Sequence, residues 1–589
     1  MARAQLPKIF PKPHSLFLHG GFFAGAQTPL RENDSALPPQ GFSLTIDPEN
    51  GIRIRAADDA GAHYAELALA QIRAQAEESG LPCLTLEDAP DFPVRGFMLD
   101  VSRGRVPVMR ELFALVDLLS ELRYNQLQLY VEHTFAFQKH ENVWRDASPL
   151  TPGEIRELDA YCAKKYIELV PNLNSFGHVE RWLEHAEYKP LAECPGGFFH
   201  EVFKMQRAAG TFRACAETAD FMGELYREYL PNFSSEKFNI GGDEPWELGQ
   251  GRSRADCESR GKKAVYLEHM ARLRKRAEAC GKRVLFWADV LLGDDSAPAE
   301  ANAEEFFSGT PAPIPLIWGY EKGHPFGEQC ARVSARSKEF YVVPGTSAWL
   351  TLTGRLDNAL ANISESAAAG FKHGASGILL TTWGDFGYHN PFCANLLPIL
   401  ACAAQSWNFL ASQSPDLLYG FEAVRLGSRE LAAALFYAGR IDNFISKKIT
   451  NRSFVRELFF AKKSAFPQLM ESVPADEIAA AKREVERIFA AFPKMEIPGD
   501  GARDSENFAR FREAIFPELA LALEMSHIAL CRAEAFLKND FETLAAIEKE
   551  ISGALAEKFS AVWRLRDREG GLSASLAYFD VAGTAPHSS

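Results

Sequence analysis

Apolar residues recur along this chain with three different textures, one after another. Between residues 1 and 90, Phe42–Ile46 and Ile52–Arg55 alternate apolar and polar positions, and Pro48-Glu49-Asn50-Gly51 separates them. That pattern predicts two half-buried strands joined by a turn. Ala60–Ala76 then places Tyr64, Leu67, Leu69 and Ile72 at helical spacing. Residues 1–90 are therefore expected to form a small N-terminal α+β domain.

Residues 91–400 change to a repeated beat of apolar strand, polar loop and amphipathic helix. Eight strands are predicted: Gly96–Val101, Gln126–Val131, Ile167–Leu173, Phe238–Gly241, Val284–Trp287, Pro315–Trp318, Phe340–Val343 and Ile378–Trp383. Several are unbroken apolar runs, as parallel strands covered on both faces require. Thr151-Pro152-Gly153-Glu154 reads as a capping box with Pro at the first helical position, opening a helix to about Lys165. A helix from about Ala264 ends at Gly281, a left-handed terminator. Eight strands alternating with helices predict an α/β fold, a (β/α)8 TIM barrel. An open doubly wound sheet is the alternative, but no G-x-G-x-x-G follows an early strand.

Residues 401–580 lose the strand beat. Ile478–Phe492 and Phe536–Trp563 are rich in Ala, Glu, Lys and Leu, with apolar positions three and four apart. They predict a helical C-terminal domain, followed by a disordered tail over 581–589.

Composition narrows the function. Hydrophobic residues are 47% and charged residues 24% of the 589, which excludes a wholly disordered or collagen-like chain. Asp+Glu is 78 against Lys+Arg 64, a net charge of −14 that repels phosphate backbones, so no nucleic-acid partner is expected. No run of about 18 apolar residues predicts a membrane span. Met1–Gly25 carries no apolar stretch with a cleavage site, so no secretory signal is expected. Ten dispersed cysteines without a C-x-x-C point to free thiols in a reducing, cytoplasmic location rather than a disulfide framework or zinc site.

In a barrel the chemistry sits where strands end. Strand 1 supplies Arg95 near its start and Asp100, Ser102 and Arg103 at its end. The next exits give Tyr130, Glu132 and His133; then Asn172, Asn174 and Gly177-His178; then Gly241-Gly242-Asp243-Glu244. The last four give Trp287 and Asp289; Trp318 and Tyr320; Thr346 and Trp349; and Trp383 and Asp385. Indole faces stack on the apolar faces of sugar rings, while carboxylates, Asn and Arg bind hydroxyls. The two glycines allow unusual backbone angles and leave room for a ligand. If the strand frays there, the adjoining carboxylates Asp243 and Glu244 both reach one substrate. One then donates a proton while the other orients a group already on that substrate.

These residues carry a resemblance. Arg95-Gly96-Phe97-Met98-Leu99-Asp100, Ser175-Phe176-Gly177-His178, Gly241-Gly242-Asp243-Glu244, Trp287, Trp318 and Trp383-Gly384-Asp385 together resemble glycoside hydrolase family 20, the β-N-acetylhexosaminidases, over roughly residues 40–400. The resemblance implies a retaining, substrate-assisted enzyme that removes terminal β-linked GlcNAc or GalNAc and needs no cofactor or metal. It implies Glu244 as general acid and then base, Asp243 on the 2-acetamido N–H, and His178 in a relay supporting the acid. It also implies Arg95 and Asp385 on sugar hydroxyls and Trp287, Trp318 and Trp383 as pocket walls. The partners would be glycans or glycoconjugates containing N-acetylhexosamine. A homodimer is compatible with barrels of this kind, which often bury a helical face between subunits.

Two departures mark a divergent subfamily. The strand-2 end reads Leu129-Tyr130-Val131-Glu132-His133-Thr134 in place of a Trp-His-x-x-Asp-Asp type of segment, so either Glu132 or His133 replaces the missing Asp. The Tyr-x-Asp of strand 7 is replaced by Pro344-Gly345-Thr346-Ser347-Ala348-Trp349. The Tyr that grips the acetamide carbonyl then comes from elsewhere, with Tyr320 and Tyr388 as candidates. Two competing readings are a metal-dependent barrel hydrolase using His178, Asp243, Glu244 and Asp289, and a non-catalytic glycan-binding barrel.

Overall fold

The structure, a computed structural model, describes residues 5–582 apart from 26, 77, 203, 294–305, 310 and 493–505. The N-terminal region forms one sheet from β1 (Ser15–Phe23), β2 (Leu30–Asn33), β3 (Phe42–Asp47), β4 (Gly51–Ala56) and β5 (Leu81–Asp88), in the order β1-β5-β3-β4-β2. The helix Asp59–Ala74 covers one face, and Asp58 caps it by accepting from the Gly61 N–H. Leu44, Ile46 and Ile54 pack against Tyr64, Leu69 and Ile72, and Trp407 from the barrel completes this core. The sheet is thereby seated on the barrel.

Eight strands close the barrel. They are β6 (Val94–Asp100), β7 (Gln126–Val131), β8 (Glu168–Leu173), β11 (Lys237–Asn239), β12 (Arg283–Trp287), β13 (Ile314–Trp318), β14 (Tyr341–Val343) and β15 (Gly377–Thr382). Each pairs in parallel with its neighbours, and β15 closes onto β6. A small hairpin, β9 (Phe198–His200) and β10 (Met205–Arg207), rises from the loop after β8. The expected capping box is complete: Thr151 N–H donates to Glu154 and Glu154 N–H donates to Thr151 Oγ1. It opens the helix Pro152–Lys164. The strand expected over Phe238–Gly241 stops at Asn239, because Gly241 and Gly242 turn the chain at φ +74° and +93°.

The eighth barrel helix, Leu396–Trp407, is buried along its whole length. The C-terminal helices pack around the long helix Ile515–Leu537, notably Phe454–Phe460 and Ala475–Ala491. The run Glu506–Leu537 has the length and composition to cross a membrane, but most of it is buried inside the bundle. Arg532 within it donates to the carbonyls of Leu458, Phe459 and Ala461 and pairs with Glu548, so this is the bundle's core helix. The stretch expected as helix over Phe536–Trp563 is broken instead. Asn539 turns left-handed, Asp540 caps a restart at Phe541, and the helix then continues through a π turn at Ile551–Leu555 to Arg566. Val581, expected in a disordered tail, is fully buried and its carbonyl accepts from Lys463 N–H. Residues 583–589 lie outside the described residues.

Candidate active site

The two carboxylates expected to act together lie at the exit of β11. Gly177 on the neighbouring loop lies so close that a Cβ there would sit 2.7 Å from the Asp243 carbonyl. Glu244 and His178 both adopt left-handed backbone angles, at φ +45° and +54°. Non-glycine residues hold such angles only where the surroundings impose them, and they cluster at functional sites. Glu244 is held by its own N–H, which donates to Asp289 Oδ2 at 3.1 Å, and Asp289 Oδ1 accepts from Trp318 Nε1 at 3.3 Å. One half-buried carboxylate thus fixes the Glu244 backbone and an indole wall together.

His178 Nε2 lies 3.3 Å from Asp243 Oδ2 and 3.6 Å from Glu244 Oε2. Its Nδ1 lies 3.4 Å from Arg103 Nη2, and its Nε2 is the nitrogen that faces the two carboxylates. Burial opposes a charge on His178, but Asp243 outweighs it and raises its pKa. Burial likewise works to raise Asp243, but His178 and then Arg103 outweigh it and hold the carboxyl below its ordinary value. Glu244 moves the other way: burial raises it, the charges of Asp243 and Asp385 add, and His178 opposes. Adjacent carboxyls with pKa values pushed apart are the arrangement that separates an anion from an acid.

Arg103 is the cation at the centre of the mouth. It reaches Asp100 at 3.0 Å, Glu132 at 3.1 Å and Asp385 at 3.3 Å. Its guanidinium lies over the rings of Tyr130 and Trp383 at 4.9 and 5.0 Å. Arg95, expected to bind sugar hydroxyls, is at the other end of β6. It is buried under the N-terminal sheet and donates to the carbonyls of Arg123 and Phe92, to Gln40 and to Tyr64. Arg95 therefore ties the domains together, and Arg103 takes the place in the site. Arg103 lies in the loop past the end of β6 at Asp100, whereas Arg95 lies near its start.

Of the two strand-2 candidates, Glu132 faces the mouth. It accepts from Tyr130 Oη at 2.9 Å and pairs with Arg103, and burial raises its pKa to about 7 against the pull of Arg103 and His178. His133 is buried, and that burial lowers its pKa to about 3 and holds it neutral. Asn174 links the two sides, donating to Tyr130 Oη at 2.9 Å and to Asp243 Oδ1 at 3.3 Å.

Aromatic rings form the remaining wall. Trp318 stacks on Tyr320 at 5.2 Å, Tyr320 meets Trp383 at 6.3 Å, and Trp383 lies 6.2 Å from Trp287. Trp287 is a floor rather than an open face, at 1% exposure. Trp349, expected to touch substrate, is also 1% exposed and lies behind Tyr320, edge-on at 5.1 Å. Tyr388 is buried beside Arg105 in a cavity facing the C-terminal domain, lined also by Glu111, Asn390, Arg566 and Asp567. Of the two tyrosines Tyr320 and Tyr388, Tyr320 is the one that packs with Trp318 and Trp383. Trp246, two residues past Glu244, is 37% exposed and packs on His200 of the hairpin. Among the described residues, no group of three or more His, Cys, Asp or Glu side chains is placed to share a metal ion.

The sequence matches the profile described as glycosyl hydrolase family 20, catalytic domain, over residues 92–305, and that family's domain 2 over residues 24–89. Residues 24–305 of the chain belong to glycosyl hydrolase family 20. The family-20 catalytic match covers Arg103, Glu132, His178, Asp243 and Glu244, while Trp318, Tyr320, Trp383 and Asp385 are brought to the site by strands beyond it. The β-hexosaminidase of Akkermansia muciniphila is 27% identical over 266 residues, 41% of this chain and 52% of that one. The β-hexosaminidase of Porphyromonas gingivalis is 24% identical over 344 residues, 51% of this chain and 44% of that one. The chain thus spans about half the length of these curated relatives. Among solved structures, Flavobacterium johnsoniae chitobiase shares the fold at a TM-score of 0.56 and 15% identity, over 94% of this chain and 99% of that one.

Proposed function

We propose that this protein is an exo-acting, retaining β-N-acetylhexosaminidase whose substrate supplies its own nucleophile. Substrate assistance is the general mechanism of the family. The observation that carries the reading here is the split pair: Asp243 held as an anion beside a Glu244 whose proton is favoured, in a mouth walled by Trp318, Tyr320 and Trp383.

Glu244 donates its proton to the glycosidic oxygen as the bond to C1 breaks. The carbonyl oxygen of the 2-acetamido group attacks C1 and closes an oxazolinium ring. Asp243 accepts the amide N–H and stabilises the positive charge that develops there. Tyr320 donates its hydroxyl to the carbonyl oxygen and orients it. Glu244, now a carboxylate, takes a proton from water, which attacks C1 and reopens the ring with net retention. His178, carrying its proton between both carboxylates, keeps Asp243 charged. Arg103 and Asp385 receive the sugar hydroxyls.

A panel of aryl β-GlcNAc, β-GalNAc, β-glucoside and β-galactoside tests the reading. Only the two 2-acetamido sugars should be cleaved. Equal turnover of the 2-hydroxy sugars would contradict it.

A further inference from the structure

The wall that carries Tyr320 is not self-supporting. Trp349 and Tyr320 pack together over Gly345, where an added Cβ would sit 2.4 Å from the Trp349 ring and 2.8 Å from the Tyr320 ring. Trp349 is fully buried, so its indole N–H needs a partner. That partner comes from the C-terminal domain: Asn451 Oδ1 accepts from Trp349 Nε1 at 3.0 Å. The same residue's N–H donates at 2.8 Å to Glu321 Oε1, next to Tyr320, and Arg355 holds that carboxylate bidentately.

Neighbouring residues grip the adjoining loops. Ser453 N–H donates to the Leu350 carbonyl at 2.9 Å, and Arg456 Nη2 donates to the Phe386 carbonyl at 2.8 Å. Asn451 sits in a tight turn at φ +62°, closed by the Ile449–Arg452 bridge, a conformation that Asn tolerates and most residues do not. A single turn of the helical domain therefore braces the loops leaving β13, β14 and β15.

We infer that Asn451 is a positioning residue of this active site, acting through Trp349 to hold Tyr320 at the angle the acetamido group requires. The inference rests on the proposed role of Tyr320. It makes the C-terminal domain, through Asn451, part of the catalytic apparatus.

The test uses the full chain and an aryl 2-acetamido-β-glucoside. Asn451→Gly keeps the left-handed turn and removes only the acceptor; Trp349→Phe removes the donor from the other side; Asn451→Asp restores an acceptor. Asn451→Gly and Trp349→Phe should each lower kcat on the order of tenfold, with KM changed less, and combining them should add little. Asn451→Asp should recover most of the loss. In a Tyr320→Phe background, Asn451→Gly should change kcat less than twofold, because coupled residues are not additive. Wild-type kcat in Asn451→Gly, or the same fold loss with and without the Tyr320 hydroxyl, would overturn the inference. If Asn451→Gly fails to fold, the Trp349→Phe and Tyr320→Phe pair gives the same comparison. Failure of the substrate panel would instead remove the acetamido reading. The coupling could then still be measured on whichever glycoside is cleaved.

Discussion

At the scale of single residues, the account turns on two carboxyls in different protonation states. Glu244→Gln removes the transferable proton and should lower kcat by roughly 10²–10⁴-fold, the usual span for a general acid. Asp243→Asn should lose activity comparably on 2-acetamido substrates, because the N–H partner and the charge go together. The sign of a pH effect also follows. Glu244 must be protonated to act, and the anion at Asp243 contributes to raising its pKa. Asp243→Asn should therefore shift the basic limb of the remaining kcat/KM profile to lower pH. A limb that stays in place or moves upward would show that Asp243 does not govern Glu244.

Residue type and strand position made much of this site readable in advance. Asp243, Glu244, Trp383 and Asp385 could be placed because chemistry in a barrel collects where strands end. Arg95 misled for a related reason: its motif is adjacent in sequence to the site, but the first and last residues of β6 lie at opposite ends of the barrel. Arg103, the cation that joins Asp100, Glu132, Asp385 and His178, was visible only as one loop residue among several. Trp349 could not be told from a pocket wall, since the sequence does not show that Tyr320 stands in front of it.

At the scale of elements, the barrel strands were legible because strands covered on both faces must be continuously apolar. The edges of the N-terminal sheet were not. β2 is four exposed residues, Leu-Arg-Glu-Asn, and β1 is interrupted between Leu18 and Phe22 at two left-handed glycines. Such edges carry no alternation to read. The helix break at Asn539 was hidden for a different reason: Ala, Glu, Lys and Leu continue across it, and only the cap at Asp540 marks the restart.

The turn after β11 gives the prediction at this scale. A Cβ on Gly241 would fall 2.1 Å from Asn174 Oδ1, at φ +74°. The left-handed angle alone costs an L-residue about 1–3 kcal/mol. Gly241→Ala should therefore lower the thermal midpoint and, by displacing Asn174 from Asp243, reduce kcat as well. Unchanged stability and rate in that variant would contradict the tight turn described here.

At the scale of the whole molecule, three packed regions are held by buried polar links. Arg566 of the C-terminal domain bonds Glu111 of the barrel at 2.6 Å and Glu518 at 2.8 Å. Replacing it with Leu strands two buried carboxylates and should destabilise the protein by about 3–5 kcal/mol, read as a loss in denaturant midpoint. In the N-terminal region the exposed His14 bonds Asp88 at 2.9 Å and Asp91 at 3.2 Å, and these hydrogen bonds, against partial burial, raise its pKa from 6.5 to about 9. A raised pKa gives stability that is fully present below about pH 6.5 and is lost as pH climbs through about 9. His14→Gln should lower the thermal midpoint at pH 6 and leave it nearly unchanged at pH 10.

The central claim is that the substrate's acetamido oxygen, not a protein carboxylate, attacks C1. Replacing the acetyl hydrogens with fluorine one, two and three at a time withdraws electrons from that oxygen and barely changes its size. With aryl glycosides of this series, kcat should fall stepwise with each fluorine, by orders of magnitude in total. A rate that does not respond to fluorination would contradict the account.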